Sequence, residues 1–194
     1  MTRRAPPVSH NRLETARLYL ALVPLAGLAA TAARKEAVAK KIIGDRLPAE
    51  WFEQAWVFGL RRDQWLASSA YAPWSIRAIA LKHSGQIIGT MNCHRAPAPF
   101  RLGAEVFPAV EMGYEIFPAW QRQGYALEAI TGFLDWAGTQ GLGGVLFSIA
   151  PDNAASRGLA EKLGATKIDH RIDPDDGPED IFLLRLVPTP RHTT

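Results

Sequence analysis

The 194-residue chain contains a single cysteine, Cys93. That excludes an intramolecular disulfide framework and any zinc site built on paired cysteines. Histidine is also sparse: His10, His83, His94, His170 and His192 are scattered, no two at metal-ligand spacing on one helix face. A metal enzyme is therefore not expected. No dense basic run exists either. Lys+Arg of 22 against Asp+Glu of 19 gives a net charge of +3, and arginines adjoin only as pairs such as Arg3-Arg4 and Arg61-Arg62. Nucleic-acid footprints are clustered stripes, so no nucleic-acid partner is expected. Long apolar runs are missing too. The uncharged stretch Leu18–Ala33 is interrupted by Pro24 and Gly27 and is shorter than the ~20 residues a membrane helix needs. No membrane association is expected, and the sequence reads as cytoplasmic.

What is present is an ordinary globular composition, 47% hydrophobic and 21% charged, which suits one domain with a substantial core. That domain is expected over residues 12–187, with Met1–Asn11 and Pro188–Thr194 as flexible ends. Leu18–Val23 reads as a strand closed by Pro24, and alanine-rich Leu25–Ile43 as one helix stopped by Gly44. Pro48 opens a second helix through about Ala67 that carries Trp51, Phe52, Trp56, Phe58 and Trp65. Ile76–Lys82 and Gln86–Cys93 form a hairpin, and Ala96–Phe107, with Pro97 and Pro99, reads as a loop. Ala109–Phe117 alternates as a strand, and Leu127, Ile130, Leu134 and Ala137 mark the apolar stripe of a helix beginning near Gly124. Val145–Ala150 is a short apolar strand. Asp152 or Asn153 caps a helix that Gly164 stops, and Thr166–Ile172 and Asp180–Val187 supply the last strands around an acidic turn, Asp173–Glu179. The sum is a mixed, largely antiparallel α/β sheet of about seven strands with about four helices.

The most informative stretch joins a strand directly to a helix through Gln121-Arg122-Gln123-Gly124-Tyr125-Ala126. The first turn of a helix carries N–H groups without intrahelical acceptors and the positive end of the helix dipole. A loop wrapping back onto it brings several such groups to one anion, for example a pyrophosphate. Gly124 permits close approach or positive φ, and Ala126 keeps the helix start uncluttered. No Gly-Lys-Ser/Thr follows and three spaced glycines are absent, so neither a P-loop nor a dinucleotide fingerprint is present.

The turn fits the pattern Gln/Arg-x-x-Gly-x-Gly/Ala and resembles the coenzyme A pyrophosphate loop of the GNAT N-acetyltransferase superfamily. Its surroundings resemble the RimJ/RimL-type branch. The residues concerned are Leu13-Glu14-Thr15-Ala16-Arg17-Leu18, Ile87-Ile88-Gly89-Thr90, and Gly113-Tyr114-Glu115-Ile116 with Pro118, Trp120 and Glu128-Ala129. Asn153-x-x-Ser156 and Glu161-Lys162-Leu163-Gly164-Ala165 continue the likeness. The resemblance implies a GNAT-type fold and an acetyl-CoA-dependent transfer of acetyl to a primary amine, small molecule or peptide, by direct attack in a ternary complex.

It also implies roles for particular residues. Backbone groups at Ile116 and Phe117 would polarise the thioester and hold the pantetheine arm, where the strand splays from its neighbour. Gln121, Arg122, Gln123, Gly124, Tyr125 and Ala126 would hold the pyrophosphate, with the Arg122 side chain either on a phosphate or in solvent. Glu111 and Glu115 alternate onto one strand face, and either could take the amine proton if burial raised its pKa. Glu111 is favoured by its place in the family pattern; otherwise it is a strand carboxylate that is solvated or paired with arginine. Many members carry a tyrosine on the helix after the fifth strand to protonate the leaving thiolate. No tyrosine stands there in this sequence: Ser156 would hydrogen-bond the thiolate, with water serving instead if Ser156 is only a helix-surface residue, and Asn153 would hold a pantetheine amide. The missing tyrosine leaves a second hypothesis, a non-catalytic acyl-CoA-binding sensor of the same fold. His94 is either a base facing the acceptor or a structural histidine, and Cys93 a packed apolar residue. The tryptophan-bearing helices are compatible with a homodimer.

Overall fold

The structure, a computed structural model, describes residues 11–174 and 177–186. The chain forms two compact units, each assembled from separated stretches. One takes the chain to Asn92 together with Tyr114–Gly132, and the other takes Cys93–Gly113 together with the chain from Phe133 onward.

The first unit is built on an antiparallel ladder of β1 (Arg12–Glu14), β2 (Leu18–Leu22), β3 (Arg77–Leu81) and β4 (Ile87–Cys93). Between β2 and β3 the chain makes α1 (Leu25–Ala32), α2 (Glu36–Ile43) and α3 (Ala55–Ala67). Their apolar sides close over Val23, Leu28, Leu47, Trp51, Phe58, Ile76 and Phe117, all nearly inaccessible to solvent. The indole N–H of Trp51 is satisfied inside this core by Thr31 Oγ1 at 2.9 Å, as a buried polar group requires.

The second unit orders its strands around β6 (Glu105–Ile116). On one side lies β5 (Ala98–Leu102); on the other come β7 (Gly144–Ile149), β9 (Gly177–Arg185) and β8 (Thr166–Asp173). Here β5–β6, β7–β9 and β8–β9 are antiparallel, while β6 and β7 run parallel. Their ladder covers Ala109↔Gly144 to Glu111↔Leu146 and stops there, although β6 continues to Ile116. The remaining helices are α4 (Tyr125–Thr139), which runs from the first unit into the second, and α5 (Ala154–Lys162).

The mixed, largely antiparallel α/β architecture matches the sequence expectation, with nine strands and five α-helices among the described residues. Four details differ. The single helix Leu25–Ile43 is two, because Arg34 takes a left-handed φ of 51° and Lys35 N–H closes back on Ala30 O at 2.9 Å. The helix from Pro48 begins as a 3-10 turn, Ala49–Phe52, before α3 starts. The proline-bearing loop Ala96–Phe107 is largely a hairpin: among the described residues β5 pairs with β6 alone, placing Pro99 opposite Pro108, and proline is tolerated on an edge strand. Asp173 and Gly177–Glu179 belong to β8 and β9 instead of a turn, with residues 175–176 outside the described set. The ends expected to be flexible also lie outside the described residues, apart from Asn11, whose carbonyl accepts from Leu22 N–H at 2.7 Å.

Candidate functional site

β6 ends at Ile116, and a 3-10 turn at Pro118–Trp120 redirects the chain toward the head of α4. Between them lie Gln121–Gly124, with Arg122 at φ 61° and Gly124 at φ 81°. The two glutamine side chains tie the turn to its own backbone: Gln121 Nε2 donates to Ile116 O at 2.8 Å and Gln123 Nε2 to Ala119 O at 3.3 Å. Glu128 N–H donates to Gly124 O at 3.1 Å, so the N–H groups of residues 124–127 precede the helical ladder at its electropositive end. A side chain at Gly124 would meet only Arg17 Nη2, at 3.5 Å from a built Cβ. The carboxylate at this helix start, Glu128, is already engaged by Thr15 Oγ1 at 2.5 Å and Arg17 Nε at 2.6 Å. Burial works to raise its pKa, but the Thr15 and Arg17 hydrogen bonds and the arginine charge hold it below the ordinary value. Backbone donors, a glycine and no uncompensated carboxylate are what a diphosphate group requires.

One strand earlier, β4 comes exceptionally close to the end of β6. A Cβ on Gly89 would lie 2.1 Å from Glu115 O, so no other residue fits this backbone. The same approach lets Phe117 N–H donate to Ile88 O at 2.8 Å. The Phe117 N–H and the Ile116 carbonyl are therefore engaged within the protein.

Glu115 lies on a pocket bordered by aromatic and aliphatic side chains, Trp51, Phe58, Ile76 and Phe117, and by polar Glu50, Thr90 and Asn92. Arg61, itself buried, donates from Nε to Asn92 Oδ1 at 2.8 Å and from Nη1 to Gln64 Oε1 at 2.9 Å, fixing the Asn92 amide at this edge. Half-buried Glu115 has its pKa raised, first by loss of water and then by the negative charge of Glu53. A carboxyl so tuned is suited to accept a proton.

Glu111, in the second unit, is differently placed. Its carboxylate is buried, accepts from Ser148 Oγ at 2.6 Å and Arg171 Nη2 at 2.8 Å, and faces His94 Nδ1 at 3.4 Å. Burial alone would raise its pKa, but hydrogen bonds from His94 and Ser148, the His94 charge and the Arg171 bond hold it at about 2. Asn153 is the N-cap of α5, its Oδ1 accepting from Ser156 N–H at 3.0 Å. Gln121–Ala126 form one contiguous turn at the head of α4. In the sequence Thr15 and Arg17 stand out only through the resemblance; the local signal for them is Glu128, one helical turn beyond Gly124, which both engage.

No curated protein sequence gives a significant match. Among solved structures, an acetyltransferase from Agrobacterium tumefaciens is similar at 23% identity and TM-score 0.59, over 94% of this chain and 99% of that one. The ribosomal-protein-S5-alanine acetyltransferase from Vibrio fischeri aligns at 18% identity and TM-score 0.59, over 91% and 96%. RimJ from Mycobacterium smegmatis, in complex with CoA-disulfide, aligns at 15% identity and TM-score 0.57, over 90% and 85%. The family model for the acetyltransferase (GNAT) domain matches residues 18–166, a span that includes the turn, Glu115 and all five helices. The chain therefore belongs to the GNAT acetyltransferases, enzymes that use acetyl-CoA.

Proposed function

We propose that this chain acetylates a primary amine by direct attack in a ternary complex, with Glu115 taking the amine proton. Acetyl-CoA, when bound, supplies the activated acetyl group; the protein must orient it, neutralise the amine and provide for the departing thiolate. The turn Gln121–Ala126 would bind the diphosphate through its backbone N–H groups. The observation that carries the base assignment is the position of Glu115 on the pocket with a raised pKa. A carboxylate held at about 2, like that of Glu111, is too weak a base to compete, so the choice between the two carboxylates moves to Glu115. Glu111 acts instead as a fixed anion joining strands of its own unit. Asn153, whose Oδ1 caps α5, would offer its amide nitrogen to a pantetheine carbonyl, and the Ser156 hydroxyl would hydrogen-bond the departing thiolate, which takes its proton from solvent water.

The similar Vibrio fischeri enzyme acts on a ribosomal-protein alanine, which supports a protein N-terminal amine as the acceptor class. Among the described residues no helix is long and apolar enough to cross a membrane, and the proposed setting is the cytoplasm. A homodimer is proposed on exposed Trp56 and Leu60, which lie on one face of α3.

Calorimetric titration with acetyl-CoA, with Gly124→Glu as control, tests the cofactor assignment. Wild type should bind, and the variant should fold without binding, since glutamate adds bulk and like charge at the turn. A thiol-release assay over a panel of amines then tests turnover. Binding without turnover on any amine would favour the acyl-CoA sensor; absence of wild-type binding would end both ideas.

A further inference from the structure

A turn that accepts an anion must present N–H groups and keep its carbonyl oxygens turned aside. Between Arg122 and Gly124, both at positive φ, the carbonyl at risk is that of Gln123. No helix or strand ladder holds this stretch, which precedes α4. Besides the two local glutamine ties, the Gln123 carbonyl is held from far earlier in the sequence.

Arg17, on the link between β1 and β2, donates from its backbone N–H to Glu128 Oε1 and from Nε to Glu128 Oε2, each at 2.6 Å. Its guanidinium carbon sits 4.4 Å from the centre of the Tyr125 ring. From that position Nη1 donates to the Gln123 carbonyl at 3.2 Å, while Nη2 borders Gly124. One planar fork thus touches Gln123, Gly124 and Tyr125 while anchored on Glu128. A lysine ammonium could satisfy one of these partners but lacks the planar geometry to satisfy them together.

We propose that Arg17, anchored by Glu128, is a positioning residue that holds the Gln123 carbonyl aside so that the N–H groups of residues 124–127 face the diphosphate of acetyl-CoA. This rests on the assignment of the turn to that cofactor. The role differs from direct phosphate binding in a measurable way. If Arg17 were mainly a phosphate ligand, the nearby Glu128 anion would oppose binding, and Glu128→Gln would tighten it. As a positioning residue, Arg17 needs its anchor, and Glu128→Gln loosens both.

The experiment titrates acetyl-CoA into the full chain for wild type, Arg17→Gln, Arg17→Lys and Glu128→Gln. Thermal melts and amide hydrogen exchange of the ligand-free proteins accompany the titrations. The expected result is a Kd raised about tenfold or more in all three variants, the scale of one lost charge-assisted hydrogen bond. Exchange should accelerate at the Glu128 amide, which donates to Gly124 O, and at the next laddered amides of α4, beyond any change elsewhere. Arg17→Lys guards against misfolding of the harsher variant. Lysine restoring wild-type affinity, Glu128→Gln tightening binding, or exchange rising evenly through the chain would each overturn the proposal while wild-type binding stands. Absence of wild-type binding would remove the cofactor assignment itself, and the proposal with it.

Discussion

Glu111 and Glu115 belong to the same strand, β6, yet their carboxyl groups are driven to opposite sides of the ordinary glutamate pKa. The difference lies in their partners. Glu111 is surrounded by donors from His94, Ser148 and Arg171, whereas Glu115 loses water and faces the charge of Glu53. The donor-rich carboxylate is held as an anion, and the donor-poor one is the base proposed above.

Glu115→Gln should lower kcat by about 10²–10⁴-fold, the usual scale for loss of a general base, with acetyl-CoA affinity nearly unchanged. The base works deprotonated, so wild-type activity should rise with pH through a limb lying above the ordinary glutamate range. Glu53→Gln removes a like charge and should move that limb to lower pH. Steady-state pH profiles of the two variants check both statements, and an unmoved limb would dissociate Glu53 from the titration.

Glu111→Gln should cost stability and not simply remove a proton acceptor. Losing one charged partner of a buried network is expected to cost about 1–3 kcal/mol at neutral pH. The folded pKa of about 2 lies below the unfolded value of ~4.3. The stabilisation is therefore complete above the unfolded value and declines as pH falls toward the folded one. Urea denaturation of both proteins across the acid range should show their stabilities converging.

Gly89→Ala places a methyl group where Glu115 O already lies, 2.1 Å away. Backbone must move, and overpacking of this kind costs about 1–3 kcal/mol. The strand end carrying Glu115 should shift with it. Reduced Tm together with reduced kcat is the expected pair of results; a crystal structure of the variant with an unmoved β6 would contradict the argument.

Asn153→Ala removes the cap of α5 and should cost about 1 kcal/mol. Ser156→Ala should not, because the cap receives the backbone N–H of Ser156 and not its hydroxyl. Chemical denaturation of both variants separates the two contributions.

The helix periods were legible because burial follows them: Ile130, Leu134 and Ala137 of α4 are all buried. The turn at Gly124 was legible because its chemistry is local, a glycine followed directly by a helix. The split between α1 and α2 was not, since Ala33-Arg34-Lys35 contains neither glycine nor proline and the break depends on Arg34 adopting a left-handed backbone. The β5 hairpin was hidden by Pro97 and Pro99, which read as strand breakers unless the strand is known to lie at an edge. Strand alternation placed Glu111 and Glu115 on one face but could not rank them. His94, Ser148 and Arg171, all distant from Glu111 in the sequence, decide its state, and no local pattern announces them.

The interleaving of the two units constrains how the protein is made. Residues 1–92 emerge from a ribosome first, but the unit to which they belong also takes Tyr114–Gly132. The strand segment carrying Glu115 and the turn at Gly124 are therefore late arrivals to a structure whose other parts are already waiting. At about 5–20 residues per second, the early segment spends seconds without its completing piece. A chain truncated before Gly132 leaves both units unfinished, and no single cut leaves both of them whole.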